Sequence, residues 1–123
     1  MGTKENKAVV RRFTDEVLAG GDLSMADELL APDFKGPDFA DTGIAGFKAA
    51  LTAMWARISE CEVNIDELLA EGDSVVARCS FRLTRPDGSM TTGRGLSYYR
   101  VADGKIVKSE IMTVPDMLQG LWQ

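Results

Sequence analysis

The chain has 123 residues, 45% hydrophobic and 27% charged, the size and balance of one folded domain with its own core. Fourteen Lys and Arg against 19 Asp and Glu leave a formal net charge of −5, and no basic run exceeds Arg11-Arg12, so a phosphate backbone has no landing strip. There is no histidine, which excludes His-based triads, His-ligated metals and imidazole acid/base chemistry. Cys61 and Cys79 form neither a metal spacing nor a disulfide framework and read as small hydrophobes in a reducing cytoplasm. Met1 to Lys7 lacks the apolar stretch of a signal peptide, and no apolar run approaches the ~20 residues that span a bilayer. The expectation is a cytoplasmic protein with no nucleic-acid and no membrane partner.

Helices fill the first half. Val9, Val10, Phe13, Val17 and Leu18 recur at three- and four-residue steps, predicting a helix from about Lys4 to Ala19 that Gly20-Gly21 ends. Asp22 or Ser24 caps a second, short helix through Leu30, stopped by Ala31-Pro32-Asp33. Phe34 to Gly43 then reads as an irregular loop holding two aromatics and two carboxylates. A third helix is predicted from about Ile44 to Ile58, with Phe47, Leu51, Met54 and Ile58 on one stripe and Asp41 or Thr42 as its cap.

Strands fill the second half, so the fold class is α+β. Val63 and Ile65 alternate with polar residues until Leu68-Leu69 breaks the pattern, where a bulge is expected. After the turn Glu71-Gly72-Asp73, the residues Val75, Ala77, Cys79, Phe81 and Leu83 alternate strictly with Val76, Arg78, Ser80, Arg82 and Thr84. Pro86-Asp87-Gly88 turns the chain. Strands from about Met90 to Ala102 and from Lys105 to Thr113 are joined by Asp103-Gly104. Two-residue turns would set Tyr98 opposite Ser109, Leu96 opposite Ile111 and Arg94 opposite Thr113. Those residues would then share an inner face with Phe81, and Tyr99, Ser97, Lys108 and Glu110 would face out. A bulge in either turn would reverse part of this assignment.

Several segments together resemble the SnoaL-like polyketide cyclase branch of the nuclear-transport-factor-like superfamily. They are Asn6-Lys7-Ala8-Val9-Val10-Arg11-Arg12-Phe13, Gly21-Asp22-Leu23, Glu28-Leu29-Leu30-Ala31-Pro32-Asp33-Phe34, Gly46-Phe47-Lys48, Glu71 to Arg78 and Tyr99 to Val107. The resemblance covers nearly the whole chain as one domain. It implies three N-terminal helices packed on a curved, mostly antiparallel sheet, a cone-shaped half-barrel with a central pocket. It also implies a hydrophobic small-molecule partner, no cofactor or metal, and cyclase or isomerase chemistry on a polyketide-like substrate. The cyclases typically place a His where Pro37 or Asp38 stands here, and a His and an acid on the last strand where Ser109 and Ile111 stand. Their acid near the chain end has its nearest counterpart in Asp116. A non-catalytic binding protein of the same fold is therefore the alternative.

Asp38, between Pro37 and Phe39 in the irregular loop, is the candidate general base: shielding by Phe34 and Phe39 would raise its pKa. A solvated turn aspartate is the plain alternative. Tyr98 and Ser109 are the candidate oxyanion donors, and Arg94 would hold a carboxylate or form an ion pair. Phe34, Phe39, Trp55, Phe81, Leu96, Ile111 and Asp116 complete the candidate ligand-binding set. Tyr99 and its polar neighbours on the outer face suggest a homodimer through the sheet.

Overall fold

The computed structural model describes residues 2–37 and 43–113. Helix α1 (Thr3–Arg12) continues without a break into a π-helical segment, Phe13–Leu18, in which the Ala19 N–H donates to the Thr14 carbonyl five residues back. In an α-helix, Phe13 and Leu18 would point about 140° apart. The wider π turn narrows that angle, and both side chains meet the same interior space. Gly21, at φ 71°, closes the helix, its N–H reaching the Val17 carbonyl at 3.0 Å. Asp22 caps α2 (Leu23–Leu29): its Oδ1 accepts from the Ser24 N–H at 3.0 Å and the Ser24 hydroxyl at 2.5 Å.

The sequence reading stops at Pro32 and assigns a loop from Phe34, but the backbone from Leu30 to Lys35 is a strand, β1. It lies parallel to β5 (Lys105–Thr113) at the edge of the sheet, where an exposed Pro32 costs no ladder bond. Tertiary pairing thus decides a segment whose local composition favours a turn. Helix α3 (Gly43–Trp55) follows, and its Phe47 ring meets the Phe34 ring edge-on at 5.5 Å.

Strands β2 (Glu60–Glu71), β3 (Ser74–Thr84) and β4 (Met90–Ala102) complete a five-stranded sheet of order β1-β5-β4-β3-β2, antiparallel except for the first pair. This is the expected α+β architecture of helices on one face of an open, mostly antiparallel sheet. The β2 bulge falls at Asp66, two residues before the expected place: Ile65 pairs with Cys79 and Glu67 with Arg78. It moves the inward parity from Val63 to Leu68, which is why Leu68-Leu69 breaks the alternation.

Strand β4 is where the face assignment changes. The first turn is a three-residue loop, Pro86-Asp87-Gly88. Arg85 pairs with Ser89, and Gly88 sits at φ 88°. The second turn does pair Ala102 with Lys105, but Val107 is an extra residue, so Val101 opposes Ile106 and Arg100 opposes Lys108. Each insertion shifts the register by one, and together they turn β4 over between two neighbours that keep their faces. Tyr99, not Tyr98, stands opposite Ser109, and Ser97, not Leu96, opposite Ile111.

The core joins both layers: Val10, Phe13 and Val17 from the first helix, Phe47 and Leu51 from α3, Val75 and Ala77 from β3, Tyr99 and Val101 from β4 and Ile106 from β5. Asn6, 1% exposed, ties the first helix to the β2–β3 turn by donating from Nδ2 to the Gly72 carbonyl at 3.2 Å. Asn6→Ala removes that bond, while water can still reach the carbonyl of the exposed Gly72. It should lower unfolding stability by about 0.5–1.5 kcal/mol in urea titration, and an unchanged midpoint would assign Asn6 no anchoring role.

Candidate functional site

Between the π segment, α3 and the inner face of the sheet lies a cavity of about 430 Å3, within the range of small-molecule sites. Its roof is Phe13, Leu18, Phe47, Ala50, Leu51 and Met54; its walls include Cys61, Val63, Cys79, Phe81 and Leu83. Its floor is Gly95, Ser97 and Tyr99 on β4 with Ser109 and Ile111 on β5. The inward residues of β4 run Gly93, Gly95, Ser97, Tyr99, from no side chain to the largest on the strand. A Cβ added at Gly93 would stand 2.6 Å from the Phe81 Cζ, so the Phe81 ring lies over the bare backbone of Gly93. Small residues on β4 leave the space that the cavity occupies.

At the closed end the Tyr99 ring meets Phe13 edge-on at 6.0 Å, and Phe13 meets Phe47 at 5.8 Å. Tyr99 is 2% exposed. Burial pushes its phenol up to about 12, while hydrogen bonding with Ser97 and Thr14 works in the opposite direction. Ser109, equally buried, stands directly across the ladder from it. Three hydroxyl-bearing residues, Ser97, Tyr99 and Ser109, therefore sit on neighbouring rungs of an otherwise apolar floor. Burial also raises both thiols; at Cys79 the negative charge of Asp66 adds to the effect. Among the described residues that line the cavity there is no carboxylate, amine or guanidinium. These walls can exclude water and hold an oxygen atom, but near neutral pH they offer no side chain that readily gains or loses a proton.

The sequence-derived candidates divide among several places. Phe81, Ser109 and Ile111 line the cavity, Ile111 at the rim with 45% exposure. Phe34 is buried behind Phe47, in the core rather than in the lining. Trp55, half-buried, sits in a separate cleft of about 220 Å3 with Gly20, Gly21 and Ile58.

Tyr98, Leu96 and Arg94 are corrected to the outer face, because the two extra residues turn β4 over. The Tyr98 hydroxyl meets the Ser74 hydroxyl at 2.9 Å, and Leu96 is 47% exposed. Arg94 lies in an open outer groove beside Ser80, Asn64 and the Arg82–Glu62 ion pair. Asp38, Phe39 and Asp116, and the cap candidates Asp41 and Thr42, lie outside the described residues. Sequence reasoning missed Ser97 and Tyr99. The signal that finds them is charge parity: Arg94 and Arg100 share a face with Leu96 and Tyr98, whereas the Gly95, Ser97, Tyr99, Val101 set carries no charge.

The adjacent tyrosines should therefore titrate apart. Hydrogen bonding to Ser74 and then Arg100 lowers Tyr98 below the ordinary phenol value, while Tyr99 holds its proton to about 12. An absorbance titration should resolve two tyrosinate steps, the upper one absent in Tyr99→Phe. The folded state binds the Tyr99 proton more tightly than the unfolded chain, so this contribution is complete below about pH 10. It is lost as pH rises toward 12, by ~3 kcal/mol across that window. Coincident steps near pH 10 would refute the assignment of faces.

No curated protein matches the sequence significantly. Solved structures match the fold. One is a candidate polyketide cyclase from Acidithiobacillus ferrooxidans, at TM-score 0.81 and 19% identity over 95% of this chain and 93% of that one. A second is a candidate SnoaL-like polyketide cyclase from Jannaschia sp. CCS1, at 0.80 and 21% over 97% and 90%. A third is IdmH, a candidate polyketide cyclase from Streptomyces antibioticus, at 0.80 and 20% over 95% and 97%. At these identities the likeness establishes the fold alone. The family model of the SnoaL-like domain matches residues 10–109, from the first helix to the hydroxyl-bearing floor of the cavity, and the chain belongs to that family.

Proposed function

We propose that this protein binds a small apolar molecule in the cavity, with the Ser97, Tyr99 and Ser109 hydroxyls holding an oxygen of that molecule. The observation that carries this reading is the coincidence of a pocket-sized apolar space with three hydroxyls on one side of it. Apolar area supplies the affinity and the hydroxyls supply orientation. Cys61, Cys79 and Met54 add a polarisable lining that adapts to ligand shape.

A second reading adds turnover, and the likeness to candidate polyketide cyclases favours it. In it the substrate is polyketide-like. Asp38 removes a proton from a carbon or oxygen acid, and the hydroxyls steady the developing oxyanion. Ring closure or isomerisation then needs no cofactor. In this reading Ser97, Tyr99 and Ser109 are the donors and Asp38 is the base.

A homodimer through the outer sheet face belongs to the same proposal. Leu69, Val76, Tyr98, Leu96 and Met112 fall on adjacent rungs of that face, with Leu69 58% and Met112 73% exposed. An apolar stripe of this kind, flanked by Arg78, Lys108 and Glu110, suits a two-fold contact with a second copy.

Xanthone should bind about 3–10-fold more tightly than xanthene, which lacks its carbonyl, as expected for about one net hydrogen bond. Ser97→Ala with Tyr99→Phe and Ser109→Ala should erase the difference; equal binding of the two compounds to the unaltered protein would reject the role of the hydroxyls. Where a substrate is found, Asp38→Asn should lower turnover by about 10^2–10^4, and unchanged turnover would remove Asp38 as base. Sedimentation at micromolar concentration should show a dimer that Leu96→Glu with Met112→Glu converts to a monomer. A monomer before substitution would dismiss the sheet contact.

A further inference from the structure

We propose that the cavity selects its ligand by charge, accepting neutral molecules and excluding anions. This rests on the binding reading given above and adds the chemical class of the ligand.

The argument begins with where the cations are. All 14 Lys and Arg residues lie in the described part of the chain, and none of them lines the cavity. Six of them are occupied or directed elsewhere. Arg12 pairs with Glu16, Lys48 with Asp27 and Lys108 with Glu110. Lys105 donates to the Glu28 carbonyl, and Arg82 and Arg94 face the outer groove. The residues outside the description cannot reverse this with a basic side chain, because 38–42 and 114–123 contain Asp38, Asp41 and Asp116 and no Lys or Arg. By composition those segments are neutral or acidic. The net charge of −5 acts in the same direction over a longer range.

An anion inside would therefore have to rely on hydroxyls alone. Ser97, Tyr99 and Ser109 are neutral donors, and Tyr99 stays protonated across the physiological range. Each can also accept, which suits a carbonyl, hydroxyl or ether oxygen equally well. A carboxylate or sulfonate stripped of water among Phe13, Phe47, Leu51 and Phe81 forfeits several kcal/mol of hydration that three neutral hydroxyls do not replace. A neutral oxygen forfeits far less and recovers it through one or two hydrogen bonds.

The test compares N-phenyl-1-naphthylamine with 8-anilinonaphthalene-1-sulfonate, two fluorescent probes of one skeleton that differ by the sulfonate. The neutral probe should bind at least about tenfold more tightly. Met54 lines the cavity and is 36% exposed, so Met54→Lys can place an ammonium at the rim without burying it. That variant should raise the affinity for the sulfonate relative to the neutral probe about tenfold or more. Equal or tighter binding of the sulfonate to the unaltered protein would overturn the charge selectivity. So would a relative sulfonate affinity that Met54→Lys leaves unmoved, provided circular dichroism shows the variant folded. If Met54→Lys does not fold, Val63→Lys serves as the second variant. Binding of neither probe would instead defeat the cavity reading itself. Gly95→Val, which fills the floor, should abolish binding of the neutral probe; a folded Gly95→Val that binds normally would place the probe outside the cavity and overturn both.

Discussion

Gly88 and Val107 each lie where a hairpin flanking β4 takes one residue more than the shortest turn requires. Side chains alternate sides at every step along a strand, so one added residue on each flank turns the strand over without moving it in the sheet. The neighbours β3 and β5 keep Phe81, Ser109 and Ile111 inward. β4, pinned between them, presents Gly93, Gly95, Ser97 and Tyr99 to the helices. Had it presented Arg94, Leu96 and Tyr98, the interior would hold a guanidinium and a leucine where it now has bare backbone and hydroxyls. The empty volume, the polar floor and the missing charge all follow from that one constraint.

The helices are built to the same space. The π segment turns Phe13 and Leu18 toward one side, where a continuous α-helix would separate them. Phe13 then bridges Tyr99 on the floor and Phe47 on the roof through edge-on and tilted ring contacts. Phe47 passes the contact to Phe34 on β1. This run of four rings spans the layers beside the cavity, supplying at its closed end the packing that the glycines of β4 do not. Rigid aromatic packing on one side and small residues on the other let an apolar void persist in an interior that otherwise fills.

Much of this was legible from residues alone. Strict alternation from Val75 to Leu83 identified the inward face of β3. Asp103-Gly104 located a hairpin whose first pair is Ala102 with Lys105, and the break at Leu68-Leu69 announced a bulge that lies at Asp66. The β5 parity of Ser109 and Ile111 also came through. The face of β4 did not. Ile106-Val107-Lys108 reads as uninterrupted strand, since a bulge of this type needs no Gly or Pro to mark it. Tyr98 and Tyr99 are adjacent and chemically identical, so composition cannot choose between them; Arg94 and Arg100 could, by their shared parity. Strand β1 was hidden for another reason: its pairing partner is more than seventy residues away by the register of Leu30 with Ile106, and no local pattern encodes it.

The inner and outer faces of β4 are not independent features. The parity that sends Ser97 and Tyr99 inward sends Leu96 and Tyr98 outward, beside Met112 and Val76. A hydroxyl-bearing cavity floor and an apolar exterior are thus two sides of the same register. Exposed apolar area of that kind weakens solubility unless something covers it. A substitution on β4 chosen to alter the cavity leaves the exterior alone only if it keeps the register. Removing both extra residues, at Gly88 and at Val107, would exchange both at once, taking the Ser97 and Tyr99 hydroxyls out of the cavity and burying Arg94. Selection for the interior therefore carries the exterior with it. This gives a physical reason for the cavity and the outer apolar stripe to arise together in this chain.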